Sequence, residues 1–167
     1  QIRIDHKQSA IARGLLQRAS RYLDGQPDVV ERGHFAWMAS RMALGNGDPA
    51  LALQMADEAC TLGRTLRDPD VECLGLVYRG HALMARGGVV GGLAQHEEAA
   101  AVIRLGGVRS WVAGWALCSI LYAARYRCDW LRAAQYAETF VDWSRSCSMP
   151  AFPGTCQLHR AAVLGVA

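Results

Sequence analysis

An internal repeat constrains this chain more than any other feature. Short turns recur at Asn46-Gly47-Asp48, Arg86-Gly87-Gly88 and Arg127-Cys128-Asp129, with 40 residues from Gly47 to Gly87 and 41 from Gly87 to Cys128. The same places come back after each turn: Ala52, Gly92 and Ala133, then Ala56, His96 and Ala137, then Ala59, Ala99 and Phe140. A period of this length is that of a helical solenoid, in which each helix pair buries its apolar face against the next. Such a stack offers a long curved surface, so the repeat speaks to how the chain binds before it speaks to what it binds.

The punctuation between repeats predicts an all-α fold. β-Branched residues are scattered, period-two alternation is not sustained, and Gly and Pro fall at helix-hairpin distances. About eight helices are expected. The first runs from about Ser9 to Leu23 and stops before Asp24-Gly25-Gln26-Pro27. Three pairs follow, at about Val30 to Leu44 with Pro49 to Leu66, Pro69 to Ala85 with Val90 to Leu105, and Ser110 to Tyr126 with Trp130 to Ser146. Asp48-Pro49 and Asp68-Pro69 each set a side-chain cap before a proline at the first helical position, where its missing N–H costs nothing. Ser110 and Asp129 are the expected caps of the third pair. Gly87 to Gly92 lacks a polar cap, so that helix is expected to begin late. A last helix from near Gly154 reads as half of a fourth pair. The chain is thus one domain over 1–167, with repeats at about 30–67, 69–105 and 109–148 and a partial repeat at 153–167.

Composition narrows the function classes. Hydrophobic residues make up 51% and charged residues 20%, which excludes a disordered tail. The formal charge is only +3, and the 17 arginines are interleaved with acidic residues along the chain, so direct nucleic-acid binding by this segment is not expected. The longest uncharged run, Ser110 to Ala124, is short of the ~20 residues that span a bilayer. No membrane association is expected, and the opening residues carry no secretory pattern, which places the chain in the cytoplasm. The six cysteines form no Cys-x-x-Cys pair and are read as buried thiols. The missing initiator Met and the apolar helical pattern at the far end suggest a fragment of a larger protein. The strip around Leu158, Val163 and Leu164 is then an uncapped face through which the fragment would form a homodimer.

Several segments resemble a known family. Gly47-Asp48-Pro49-x-x-Ala52-x-x-x-Ala56-x-x-Ala59 is similar to a tetratricopeptide (TPR) motif, as is Gly80 followed by Leu83 and Gly87. Glu31-Arg32-Gly33-His34, Ala59-x-x-Leu62-Gly63-Arg64-x-Leu66-x-Asp68-Pro69-Asp70 and Arg79-Gly80-x-Ala82-Leu83 look like the TPR-like arrays of bacterial LuxR-type (MalT-like) transcription regulators and of some cyclase-associated proteins. Val112-Ala113-Gly114-Trp115-x-x-Cys118, Asp129-x-x-Arg132-Ala133-Ala134-x-Tyr136-x-Glu138 and Phe152-Pro153-Gly154-x-Cys156-x-x-His159-Arg160-Ala161 continue the likeness over about Ile11 to Leu164. Cys128 departs from the pattern by replacing a turn glycine, and neither an ATPase segment nor a helix-turn-helix is present in this sequence. The resemblance implies a right-handed superhelix of antiparallel helix pairs and a regulatory context.

In such an array the first helix of each pair lines the concave face, and its stripe follows i, i+3, i+4, i+7 spacing. Setting the repeats in register places His34, Trp37, Met38 and Arg41 beside Tyr78, His81 and Met84, and beside Trp115, Cys118, Ser119, Tyr122 and Arg125. Aromatic faces with arginines suit a protein, a peptide or an anionic small-molecule effector. The bland alternative, in which the aromatics only fill the inner curve, stands equally for Trp37 and Trp115, whereas Arg41 and Arg125 favour exposure because unpaired buried charge is costly. No metal or other cofactor is expected, since His81 and His96 lack a third ligand and no His-x-x-x-His occurs. No nucleophile-and-base pattern or Walker loop occurs, so the chain is read as non-catalytic. The leading expectation is a TPR-like regulatory module of a multidomain LuxR-type regulator; the alternative is the regulatory segment of a signalling enzyme such as a nucleotide cyclase.

Overall fold

The computed structural model describes residues 6–146, 158, 161–163 and 165. Seven helices have described bounds: α1 (His6–Leu23), α2 (Val30–Gly45), α3 (Pro49–Leu66), α4 (Pro69–Ala85), α5 (Val89–Leu105), α6 (Ser110–Tyr126) and α7 (Trp130–Ser146). Residues 158 and 161–163 belong to an eighth. No strand occurs among the described residues, so the chain is all-α with about eight helices, as its repeat predicts.

Local chemistry sets the helix starts. The Asp48 carboxylate accepts the Leu51 N–H at 3.0 Å, Asp68 accepts that of Val71 at 2.9 Å and Asp129 accepts that of Arg132 at 3.2 Å. Three predicted boundaries shift. α1 begins at His6, α5 begins at Val89 behind Gly88 with no side-chain cap, and α6 takes Arg109 at its N-cap, so Ser110 is the first helical residue. The turn at Cys128 keeps the repeat's geometry without its glycine: its φ of 57° matches the left-handed turns of Gly47 at 79° and Gly87 at 87°.

Packing follows the pairing. α3 packs against both α2 and α4, α5 against α4 and more lightly α6, and α7 against α6. α2 touches α4 and α4 touches α6, so the first helices of the three pairs form one continuous layer. α4 sits at its centre and is buried nearly all round, through Val71, Cys73, Leu74, Leu76, Val77 and Ala82. Glycines bring the backbones together. A Cβ on Gly75 would lie 2.7 Å from the Cys60 backbone nitrogen on α3, and one on Gly80 would lie 2.8 Å from the Gly92 carbonyl oxygen on α5.

A polar clip fixes the third pair to the second. Asp70 is buried at the start of α4, accepts the Arg109 backbone N–H at 2.7 Å and pairs with the Arg109 guanidinium. Arg109 also reaches toward His34 on α2, with 3.4 Å between nitrogens. The carboxylate thereby satisfies a backbone donor at the α6 N-terminus as well as a side chain. Asp70→Ala is expected to lower the melting temperature more than Arg109→Ala, because the second change keeps the backbone bond. Equal losses in calorimetry would show that this bond contributes nothing.

At the other end, the fully exposed terminal strip is corrected in part. Val163 is buried against Leu117, Leu121 and Phe140 of the α6–α7 cluster, while Leu158 is 73% exposed. Leu164 and most of the partial repeat at 153–167 lie outside the described residues.

Candidate functional site

The α2–α4–α6 layer draws five of the nine candidate side chains into one cluster. Trp37 lies at its centre, edge-on to Tyr78 at 6.1 Å and to Trp115 at 6.5 Å between ring centroids. Of the two readings that stood equally for the tryptophans, burial favours the one in which they fill the inner curve: Trp37 is 7% and Tyr78 6% exposed, and Trp115 is half-buried. The reason lies in the layer, since each inner helix is flanked by the next and a side chain directed along it meets a neighbour. Arg41 remains exposed and stacks over the Trp115 ring with its guanidinium carbon 4.9 Å from the centroid.

Donors of the cluster converge on the Tyr78 hydroxyl. Burial pushes the Tyr78 hydroxyl up, opposed by the Arg41 charge and by Trp115, Ser119 and Trp37, whose donors face its oxygen. Neither indole N–H reaches a partner at hydrogen-bonding geometry, although both nitrogens are buried. The two indole N–H groups are the donors left without a partner there. Arg41 forms no ion pair with a carboxylate among the described residues; its guanidinium approaches the Met38 sulfur at 4.0 Å. An acceptor carrying negative charge is what this arrangement lacks.

The other candidates lie around it. His34 is half-buried at one edge, 6.5 Å from Trp37. Ser119 and Trp115 share one face of α6, but Tyr122 is 61% exposed and stacks on Tyr126, and Arg125 lies a further turn along. His81 lies edge-on to Tyr78, 5.3 Å between ring centroids, and links the cluster to His96. Its Nδ1 lies 3.1 Å from His96 Nε2, and the His96 ring rests on the Gly80 backbone. Burial lowers His81 to about 3 and His96 to about 4, with mutual repulsion adding to the shift at His81, so both rings are neutral at pH 7. The Val77 carbonyl also faces His96 and can only accept, and across the His81–His96 contact one neutral ring donates to the other.

Residues missed from sequence open a second surface. A groove of about 810 Å³ runs between α1 and α2, lined by Leu15, Leu16, Ala19, Tyr22, Leu23, Phe35, Trp37, Met38 and Trp111 among others. Polar side chains, Glu31, His34 and Arg109, gather toward one end of α2 and the start of α6. The spacing of Ala12, Leu15, Leu16, Ala19 and Leu23 in the first helix carries the signal for it, an apolar stripe. Trp111 could not be assigned to it from sequence, because α6 meets α2 across the helix layer.

Other groups are quiet. Burial pushes the Cys60 and Cys73 thiols up to about 12, so both stay protonated, whereas Cys128 is exposed rather than buried as expected; Cys147 and Cys156 lie outside the described residues. Among the described residues no group of three or more His, Cys, Asp or Glu side chains is placed to hold a metal ion, and no helix is long and apolar enough to cross a membrane. Compared with protein-family models, curated proteins and solved structures, the chain matches none significantly, so its resemblance to TPR-like arrays rests on its own residues.

Proposed function

We propose that this chain is a non-catalytic, TPR-like binding module that regulates a larger protein, most plausibly a bacterial LuxR-type transcription regulator of the cytoplasm. Its α2–α4–α6 layer serves as the concave face of a right-handed superhelix and receives an anionic effector. The observation that carries this reading is the cluster at Trp37, Tyr78, Trp115 and Ser119 with Arg41 stacked beside it and, among the described residues, no carboxylate paired with that guanidinium. In a larger protein, the effector would act by binding one arrangement of the layer more tightly than another, since equal affinity for both shifts nothing.

The test is a thermal-shift screen of the 167-residue chain with organic carboxylates and nucleotides against neutral sugars. A ligand at a hundred times its Kd adds about 2.7 kcal/mol, which for a domain of this size raises the melting temperature by roughly 5–10 °C. Anions alone are expected to stabilise, and Arg41→Ala is expected to abolish the gain. Equal stabilisation of the variant, or stabilisation by neutral sugars only, would remove the basis of the proposal.

A further inference from the structure

The anion cluster and the apolar groove meet on α2. Trp37 and Met38 both line the groove, Trp37 is also the centre of the donor cluster, and Met38 Sδ is the atom that the Arg41 guanidinium approaches at 4.0 Å. A ligand lying in the groove with one end at Met38 is therefore within reach of Arg41. We propose, resting on the reading above, that the site takes a small monocarboxylic acid with an apolar chain, its carboxylate held by the exposed Arg41 guanidinium beside Trp115 and its chain laid between α1 and α2.

Each part of that description follows from the chemistry present. One arginine at the Met38 end balances a single negative charge, whereas a phosphate dianion calls for more cations. The groove walls offer side chains such as Leu15, Leu16 and Phe35, which solvate hydrocarbon and little else. A peptide laid there would bury its own N–H and C=O groups against walls with almost nothing to bond them, at a cost of a few kcal/mol for each group. From Glu31 to Met38 the groove follows α2 for about 10 Å, the reach of a chain of roughly eight to ten carbons. Filling it would also cover apolar surface on α1 that now faces solvent, including Leu15 at 62% and Tyr22 at 67% exposed.

The experiment measures binding of decanoate, decanol, propionate and trileucine by calorimetry, on the wild-type chain and on Arg41→Gln and Leu15→Gln. Leu15 is largely exposed, so its replacement leaves the helix packing intact while making the groove wall polar. Decanoate is expected to bind saturably and about tenfold or more tighter than either decanol or propionate, the worth of one charge-assisted pair or of a buried chain. Arg41→Gln should erase the advantage over decanol, and Leu15→Gln should weaken decanoate and decanol together. Decanoate no tighter than propionate would overturn the groove assignment while leaving the anion site standing. Decanoate no tighter than decanol in the wild type would overturn the anion site, and with it the reading this proposal rests on, while leaving the groove standing, and trileucine binding more tightly than decanoate would overturn the choice of a small acid.

Discussion

Gly80→Leu is expected to lower stability by at least about 3 kcal/mol, the upper part of the range for overpacking a core. The position has no room for even one carbon. A Cβ there would sit 2.5 Å from His96 Cδ2 and 2.8 Å from the Gly92 carbonyl oxygen, and the second neighbour is backbone that cannot swing away. Gly92 mirrors the arrangement, with its own Cβ position 2.7 Å from the Gly80 carbonyl, so α4 and α5 cross glycine against glycine. Gly80→Ala tests the same contact more gently. Alanine is the better helix former by up to ~1 kcal/mol, so a net loss would have to come from the crossing itself. Urea unfolding at pH 7 gives both values, and an alanine variant as stable as wild type would mean that the helices separate freely there.

The second large effect is a loss of stability in mild acid that originates in the His81–His96 pair. Both folded-state values are depressed, to about 3 and about 4, whereas an unfolded histidine titrates near 6.5. Between those limits the unfolded chain binds more protons than the folded one. The pair's contribution is therefore complete above about pH 6.5 and falls away as the pH drops toward the folded values. At pH 5 the rings are still neutral in the fold, and the penalty is about 2 kcal/mol for each, or about 4 kcal/mol in total. Urea unfolding of the wild type and of His81→Gln/His96→Gln at pH 7 and pH 5 separates this from other titrations. The wild type should lose about 4 kcal/mol more than the double variant between the two pH values; equal losses would assign the acid sensitivity elsewhere.

The parts of the fold that chain-local chemistry decides were readable before any coordinates. Asp48-Pro49 and Asp68-Pro69 place the starts of α3 and α4, because a capping carboxylate and a proline act within a single turn. The recurring turns located the six helices of the three pairs, and the Gly25 to Pro27 break located the end of α1. What escaped was decided across the layer. Arg109 carried no local sign that its backbone N–H would bond to the carboxylate of Asp70, which lies 39 residues earlier. Trp37 and Tyr78 lie on the predicted stripe, but spacing along one helix cannot say whether that stripe faces water or the next helix. The groove residues of α1 carried an apolar pattern without a repeat partner, and so pointed to no particular surface. His81 and His96 were correctly placed on adjacent helices of one pair; that they touch depends on the absence of side chains at Gly80 and Gly92.

The Asp70–Arg109 clip also has a meaning for how the chain is made. At about 5–20 residues per second, a ribosome needs roughly 2–8 s to travel from one residue to the other. Throughout that interval the aspartate that ends 3% exposed in the fold lacks its partner, and α4 has apolar faces that α5 and α6 have yet to cover. The helix that ends as the most enclosed part of the array is for those seconds its stickiest, so holdase capture during synthesis would fall on α4.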